Sequence, residues 1–440
     1  LSESSAPARL FEALNRVLLD HIWQVRQAAC YSLPGVFAIQ PRNNARRENL
    51  LLIMRALKQD VSPNVQLAAF EMIGEIIYLF HDDENGVPDE LVHLFMGQPI
   101  DAHDEGNDDN EFLTNSDYAL IVAFNFPAVV LTLGPEQWSR LRELYKRLTT
   151  HAHDNVRNSL AASLHQMAKI IGPKATCQDL IPVSDQFFRD TCVDVTATML
   201  EHMDEFWLML PVEAAREQLL RVPALWLTNY AHEWRLRQSI AAHIPALIPT
   251  MLLDDEDGCL ITLSLLALND PVNALRNIGI QCVPITYRTF REHDETIADG
   301  FLSMLCDMAH ASTSRQRTTF LNIVRSLLGH DLGRERFERL ILPCLLELVA
   351  DGVSDVNIAL ARTVQQVWLL GWYNNETIPE ALRQVVATLL IAPTLTVQEF
   401  MQNLDPPILT HDMQPMPLNK RHSLVFGPAP PTLDNTIIPM

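Results

Sequence analysis

Apolar positions recur along this chain with the spacing of helices. Trp138, Leu141, Leu144, Tyr145 and Leu148 fall on one helical face. After a polar turn, Val156, Leu160, Leu164, Met167 and Ile171 fall on another. Neither helix can bury its stripe alone, so each predicts a neighbour to pack against. The alternation of a half-buried strand is not sustained over any long stretch. The same unit returns along the chain: a turn, a branched apolar anchor, often an arginine, then an amphipathic helix. Copies are anchored at Val25-Arg26, Val65-Gln66, Val156-Arg157, Val195-Thr196, Leu236-Arg237, Leu275-Arg276, Gln316-Arg317 and Val356-Asn357. The first two anchors are 40 residues apart, and from 156 onward the steps are 39, 41, 39, 41 and 40.

The gap of 91 residues between Val65 and Val156 holds one more copy. Val156 lies 16 residues before Gly172, and Tyr118 lies 16 before Gly134, so Tyr118 to Leu133 is the missing second helix. About 13 residues are then inserted before it, over about 98–116. A further step from Val356 lands on Val397. A period near 40 predicts an all-α solenoid of two-helix HEAT-type repeats, nine with a tenth at the end, over 6–404 as one body. Residues 405–440 carry eight prolines and no helical pattern, and read as a disordered tail.

Charge repeats in register with the anchors. Asp20, Asp60, Asp190, Asp270 and Asp351 each sit five residues before an anchor, and Arg26, Arg157, Arg237, Arg276 and Arg317 each follow one. Equivalent positions stack along a repeat array. The charges form either a binding strip or an internal ladder, and the ladder is favoured because pairing is what makes partly buried Asp and Arg tolerable. It predicts that Arg157 approaches Asp190, Arg237 approaches Asp270 and Arg317 approaches Asp351.

Composition narrows the function. The chain has 440 residues, 48% of them apolar, so it can bury a large core. Only 15 are glycine, which leaves few phosphate-cradling loops. A net charge of −21 excludes a broad basic footprint for nucleic acid or an anionic membrane. Seven scattered cysteines without a Cys-x-x-Cys pair fit a reducing, cytoplasmic or nuclear setting rather than a disulfide framework. No signal peptide is read in the polar Ser2 to Arg9, and an opening at Leu1 fits a piece of a longer protein. Tyr118 to Pro135 lacks charge but contains Asn125 and Pro127, and the repeat register accounts for it better than membrane insertion. Gln59 to Ser139 has 16 acidic residues and no Lys or Arg, densest at Asp101 to Glu111. That run is a solvated loop or a docking element for a basic partner.

No phosphate loop, nucleophile elbow or zinc-protease motif occurs, so an enzyme is not expected and no cofactor is implied. Asp101 and Gly106 match a calcium loop, but its twelfth position is Phe112, where a bidentate glutamate is needed. His151, His153 and Asp154 lack a further ligand and read as a turn. Surface chemistry remains. Trp23 and Trp234 each sit two residues before an anchor, in the inter-helix turn, with Arg26 and Arg237 close by. These four are the candidate partner-binding residues, since Trp and Arg dominate interface hot spots. The competing reading folds each ring onto the next repeat.

Asn125-Phe126-Pro127-Ala128-Val129-Val130-Leu131-Thr132-Leu133-Gly134, then Trp138, then Leu141-Arg142-Glu143-Leu144-Tyr145, resemble the protein phosphatase 4 regulatory subunit 1 family. So do Val156-Arg157 through Lys169-Ile170-Ile171-Gly172, Glu233-Trp234-Arg235-Leu236-Arg237 and Ser314-Arg315-Gln316. The resemblance runs in order from about Val61 to Trp368. It implies a non-catalytic subunit that binds the catalytic subunit of a 2A-type serine/threonine phosphatase and directs it to phosphoprotein substrates. The related phosphatase 2A scaffold holds its catalytic subunit on inter-helix turns, which raises the interest of Trp23, Trp234 and Arg237. Gln66, Thr196 and Asn357 depart from the arginine usual after the anchor. A HEAT-repeat nuclear transport receptor and a vesicle-coat or cytoskeletal adaptor are the alternatives.

Overall fold

In the computed structural model, residues 5–98, 115–252, 258–330, 332–373, 378–392 and 395–402 are described. The acidic run Asp101 to Glu111 and the tail 405–440 lie outside them. Among the described residues there is no strand, and the fold is an all-α array of helix pairs. Contacts divide the chain into two units, Leu1–Leu263 and Ser264–Met440, where the sequence predicts one body. In an array each repeat touches mainly its neighbours, so compactness is set link by link.

The first unit opens with Ser5–Leu18 followed by Trp23–Cys30 and Leu33–Ala38. Asn44–Lys58 then pairs with Pro63–Glu71 and Ile73–Tyr78. Asp89–Phe95 precedes Ser116–Leu133, and Trp138–Thr149 precedes Asp154–Ala175. Two further pairs end the unit's repeats with Val193–Glu201 plus Met203–Trp207, and with Trp234–Met251. In the second unit the second helices are Asn273–His293, Ser314–Leu328, Ser354–Leu369 and Leu395–Gln402.

Both stripes read from the sequence are buried: Trp138, Leu141, Leu144, Tyr145 and Leu148 in one helix, Val156, Leu160, Leu164, Met167 and Ile171 in the next. The rings of Phe95, Trp138 and Tyr145 meet Phe126 edge-on at 5.6, 6.5 and 5.0 Å. Trp138 Nε1 donates to Asp179 at 2.9 Å, so the buried ring has its polar partner. Gly134 and Gly172, used to find the hidden repeat, both adopt positive φ, 87° and 79°. Each ends its helix in a conformation that side chains disfavour, and a proline follows to begin the next. Ser116–Leu133 is long and apolar enough to cross a membrane, but Ala119, Val122, Phe126 and Val130 are buried and it packs on Asp154–Ala175.

Candidate functional site

The inter-helix turns carry a repeated hydrogen-bond device. Asp20, Asp60, Asp190, Asp270 and Asp351 each accept the backbone N–H two residues on, at 2.8–2.9 Å. The arginine after the anchor folds back and donates to carbonyls of its own turn. Arg26 reaches Asp20 O at 2.8 Å, Arg157 reaches His151 O at 2.7 Å, Arg237 reaches Ala231 O at 2.6 Å and Arg317 reaches Ala311 O at 2.9 Å. At two of the three anchors without arginine, shorter amides keep that bond: Gln66 Nε2 to Asp60 O at 2.6 Å and Asn357 Nδ2 to Asp351 O at 3.0 Å, whereas the Thr196 hydroxyl donates to Phe187 O at 3.0 Å.

Three arginines also reach the next repeat with the planar fork of the guanidinium. Arg26 meets Asp60 at 2.7 and 2.7 Å, Arg157 meets Asp190 at 2.7 and 2.8 Å, and Arg317 meets Asp351 at 2.5 and 3.2 Å. The hydrogen bond from Arg157 holds Asp190 below the usual carboxylate range, and that from Arg26 does the same for Asp60. Arg237 and Asp270 fall in different units and are each buried.

Of the four candidate partner-binding residues, the two arginines turn inward. The sequence pattern groups Arg26 and Arg237 with the tryptophans as partner-binding residues. Arg26 is instead clamped between its own turn and Asp60, and Arg237 is only 5% exposed. Turn carbonyls draw both guanidinium groups inward, and Asp60 adds to the pull on Arg26. The tryptophans differ from each other. Trp23 opens its helix and is 37% exposed. Trp234 is half-buried, and the Arg235 guanidinium lies 4.7 Å from its ring centroid.

On the first two inter-helix turns the structure adds exposed residues that the sequence reading missed. Leu19 is 85% exposed, Val61 is 96% exposed, and Ile22 is exposed beside them. Leu19 and Val61 line one open cleft of about 460 Å³ between the first two turns, with Leu18 and Ile53 beneath. The missed signal was positional: Leu19 and Val61 flank Asp20 and Asp60, where the turn needs a backbone bend and not an apolar side chain.

One side-chain cluster could hold a metal. His165, His202 and Glu205 bring ligand atoms within 4.8 Å of one another, with His202 Nδ1 3.2 Å from Glu205. Lys169 already donates to Glu205 at 2.9 Å, and with the His202 bond holds its carboxyl down at about 2. A cation would have to displace that ammonium, so the cluster fits an ion-pair knot between adjacent repeats better than a metal centre. His151 and His153 lie in an exposed turn where His153 N–H donates to His151 Nδ1 at 3.1 Å.

Comparison with known proteins agrees with the central repeats. Residues 122–225 match the family model of the protein phosphatase 4 regulatory subunit 1 middle domain. Serine/threonine-protein phosphatase 4 regulatory subunit 1 of Homo sapiens and of Mus musculus are each 28% identical over 250 residues, 56% of this chain and 26% of theirs. The match therefore spans about a quarter of those relatives. Among solved structures, Kap121p aligns with TM-score 0.57 at 14% identity, over 91% of this chain and 41% of that one. Kap121p bound to Ste12p aligns with TM-score 0.51 at 15% identity, over 90% and 43%. At such identities the likeness is one of fold.

Proposed function

We propose that this chain, which belongs through its central repeats to the protein phosphatase 4 regulatory subunit 1 family, is a non-catalytic scaffold that binds a serine/threonine phosphatase catalytic subunit on its inter-helix turns. The observation that carries the partner is the family match over 122–225. The observation that favours the turns is the exposed apolar group Leu19, Ile22, Trp23 and Val61. Apolar side chains so exposed on a row of turns are what a partner can desolvate. The chain's role is then to hold the catalytic subunit and bring phosphoprotein substrates to it.

Binding of purified phosphatase 4 catalytic subunit to the immobilised full chain tests this directly. Saturable capture that is lost in a Leu19→Glu, Val61→Glu double variant of unchanged helicity supports the reading. Absence of capture, or capture of a small GTPase only in its GTP form, refutes it and favours a transport receptor.

A further inference from the structure

Within the second unit, the helices Asn273–His293, Ser314–Leu328 and Ser354–Leu369 line an open cleft of about 530 Å³. Arg276, Arg315, Arg325 and Arg362 all line it, with Asp355 as the one acidic side chain. In a chain of net charge −21 this is a local reversal of sign. Among the described residues no carboxylate lies within ion-pair distance of any of the four.

The ladder explains how one of these charges came to be uncompensated. Arg276 holds carbonyls of its own turn, Asp270 O at 2.9 Å and Pro271 O at 2.8 Å, as its counterparts do. The next repeat places Ala311 where the partner aspartate stands elsewhere. Burial, and then the charge of Arg315, push the Arg276 guanidinium below its ordinary value. Burial, and then the charge of Arg362, do the same to Arg325, whose Nε is buried without a partner. Arg276 thus lies close enough to feel the charge of Arg315, and Arg325 close enough to feel that of Arg362.

We propose that this cleft is a docking site for a phosphorylated segment of a partner protein, with the phosphate held between paired guanidinium groups. A carboxylate carries one charge and is matched by one guanidinium fork. A phosphate carries nearly two charges and three acceptor oxygens, so it satisfies two forks at once. Asn322 adds a neutral side-chain amide to the lining. The inference goes beyond the turn-borne binding of a catalytic subunit and does not depend on it.

The test is fluorescence anisotropy of the full chain with a labelled peptide holding one phosphothreonine among neutral residues. Its unphosphorylated and glutamate counterparts are run alongside. The phosphopeptide is expected to bind at least about tenfold more tightly than either, with affinity falling steeply as salt rises. An Arg315→Ala, Arg362→Ala double variant should weaken it at least about tenfold. Ala311→Asp supplies the missing ladder carboxylate to Arg276, repeats a geometry the fold already uses, and should weaken it about fivefold. Arg140→Ala, in the other unit, should leave it unchanged. Equal affinity for all three peptides overturns the proposal, as does an unchanged phosphopeptide affinity in the double variant. Capture of the catalytic subunit by that variant should persist, which separates this site from the turns.

Discussion

A guanidinium that spans two repeats cannot be removed without leaving a carboxylate alone in a dry seam. Arg317 and Asp351 are the most enclosed such pair described, with side chains 7% and 2% exposed. Arg317→Ala is expected to destabilise the fold by ~3–5 kcal/mol, because the loss is the burial of an unpaired charge. Urea denaturation followed by circular dichroism measures it, and a loss below ~1 kcal/mol would mean the seam behaves as wet surface. The ladder has a pH signature as well. Asp190 and Asp60 have folded pKa values below the unfolded value of about 3.9. Their contribution is complete above that value and is lost as pH falls through the folded pKa. The melting temperature should therefore hold down to about pH 4 and then drop, and Asp190→Asn should lower it throughout while flattening the acid limb. The ladder was legible because Asp and Arg keep fixed offsets from the anchor. The inward turn of Arg26 and Arg237 was not, because it depends on which carbonyls the turn leaves without donors.

At the scale of an element, the array demands close approach at particular glycines. A Cβ at Gly279 would stand 2.8 Å from the backbone N of Leu268, so two helices would have to part. Gly279→Ala is expected to cost ~1–3 kcal/mol by overpacking. Gly300, in the helix Glu295–Cys306, would meet nothing within 4 Å, and Gly300→Ala should be neutral or stabilising by up to ~1 kcal/mol. Hydrogen exchange that quickens around 259–293 in the first variant alone would confirm a local cause. Destabilisation of equal size in both would refute it. Helix pairs and their period were readable from the apolar stripes and the two turn glycines. The breaks were not: Trp23–Cys30 stops before Leu33–Ala38, and Pro245 and Pro249 lie inside Trp234–Met251. Neighbouring repeats hold such interrupted helices in place, and a single-chain periodicity does not see that support.

For the molecule as a whole, charge and apolarity are distributed unevenly along the array, and this gives the two proposed binding surfaces opposite physical characters. Exposed Leu19, Ile22, Trp23 and Val61 lie on turns of the first unit, whereas four arginines line a cleft of the second. Binding at the turns should gain from burying apolar area and respond little to salt, because screening weakens exposed charge pairs and not hydrophobic contacts. Truncating a hot-spot tryptophan typically loses ~2 kcal/mol or more, about thirtyfold in affinity. Trp23→Ala is therefore expected to weaken capture of the phosphatase catalytic subunit about thirtyfold, by a similar factor at low and high salt, with helicity and melting temperature unchanged. Trp234→Ala should do less, because its ring is half-buried and covered by Arg235. Titration calorimetry at two ionic strengths decides the matter. A loss confined to low salt would place the binding energy in charges and not in the exposed ring. An unchanged affinity would remove the first two turns from the interface.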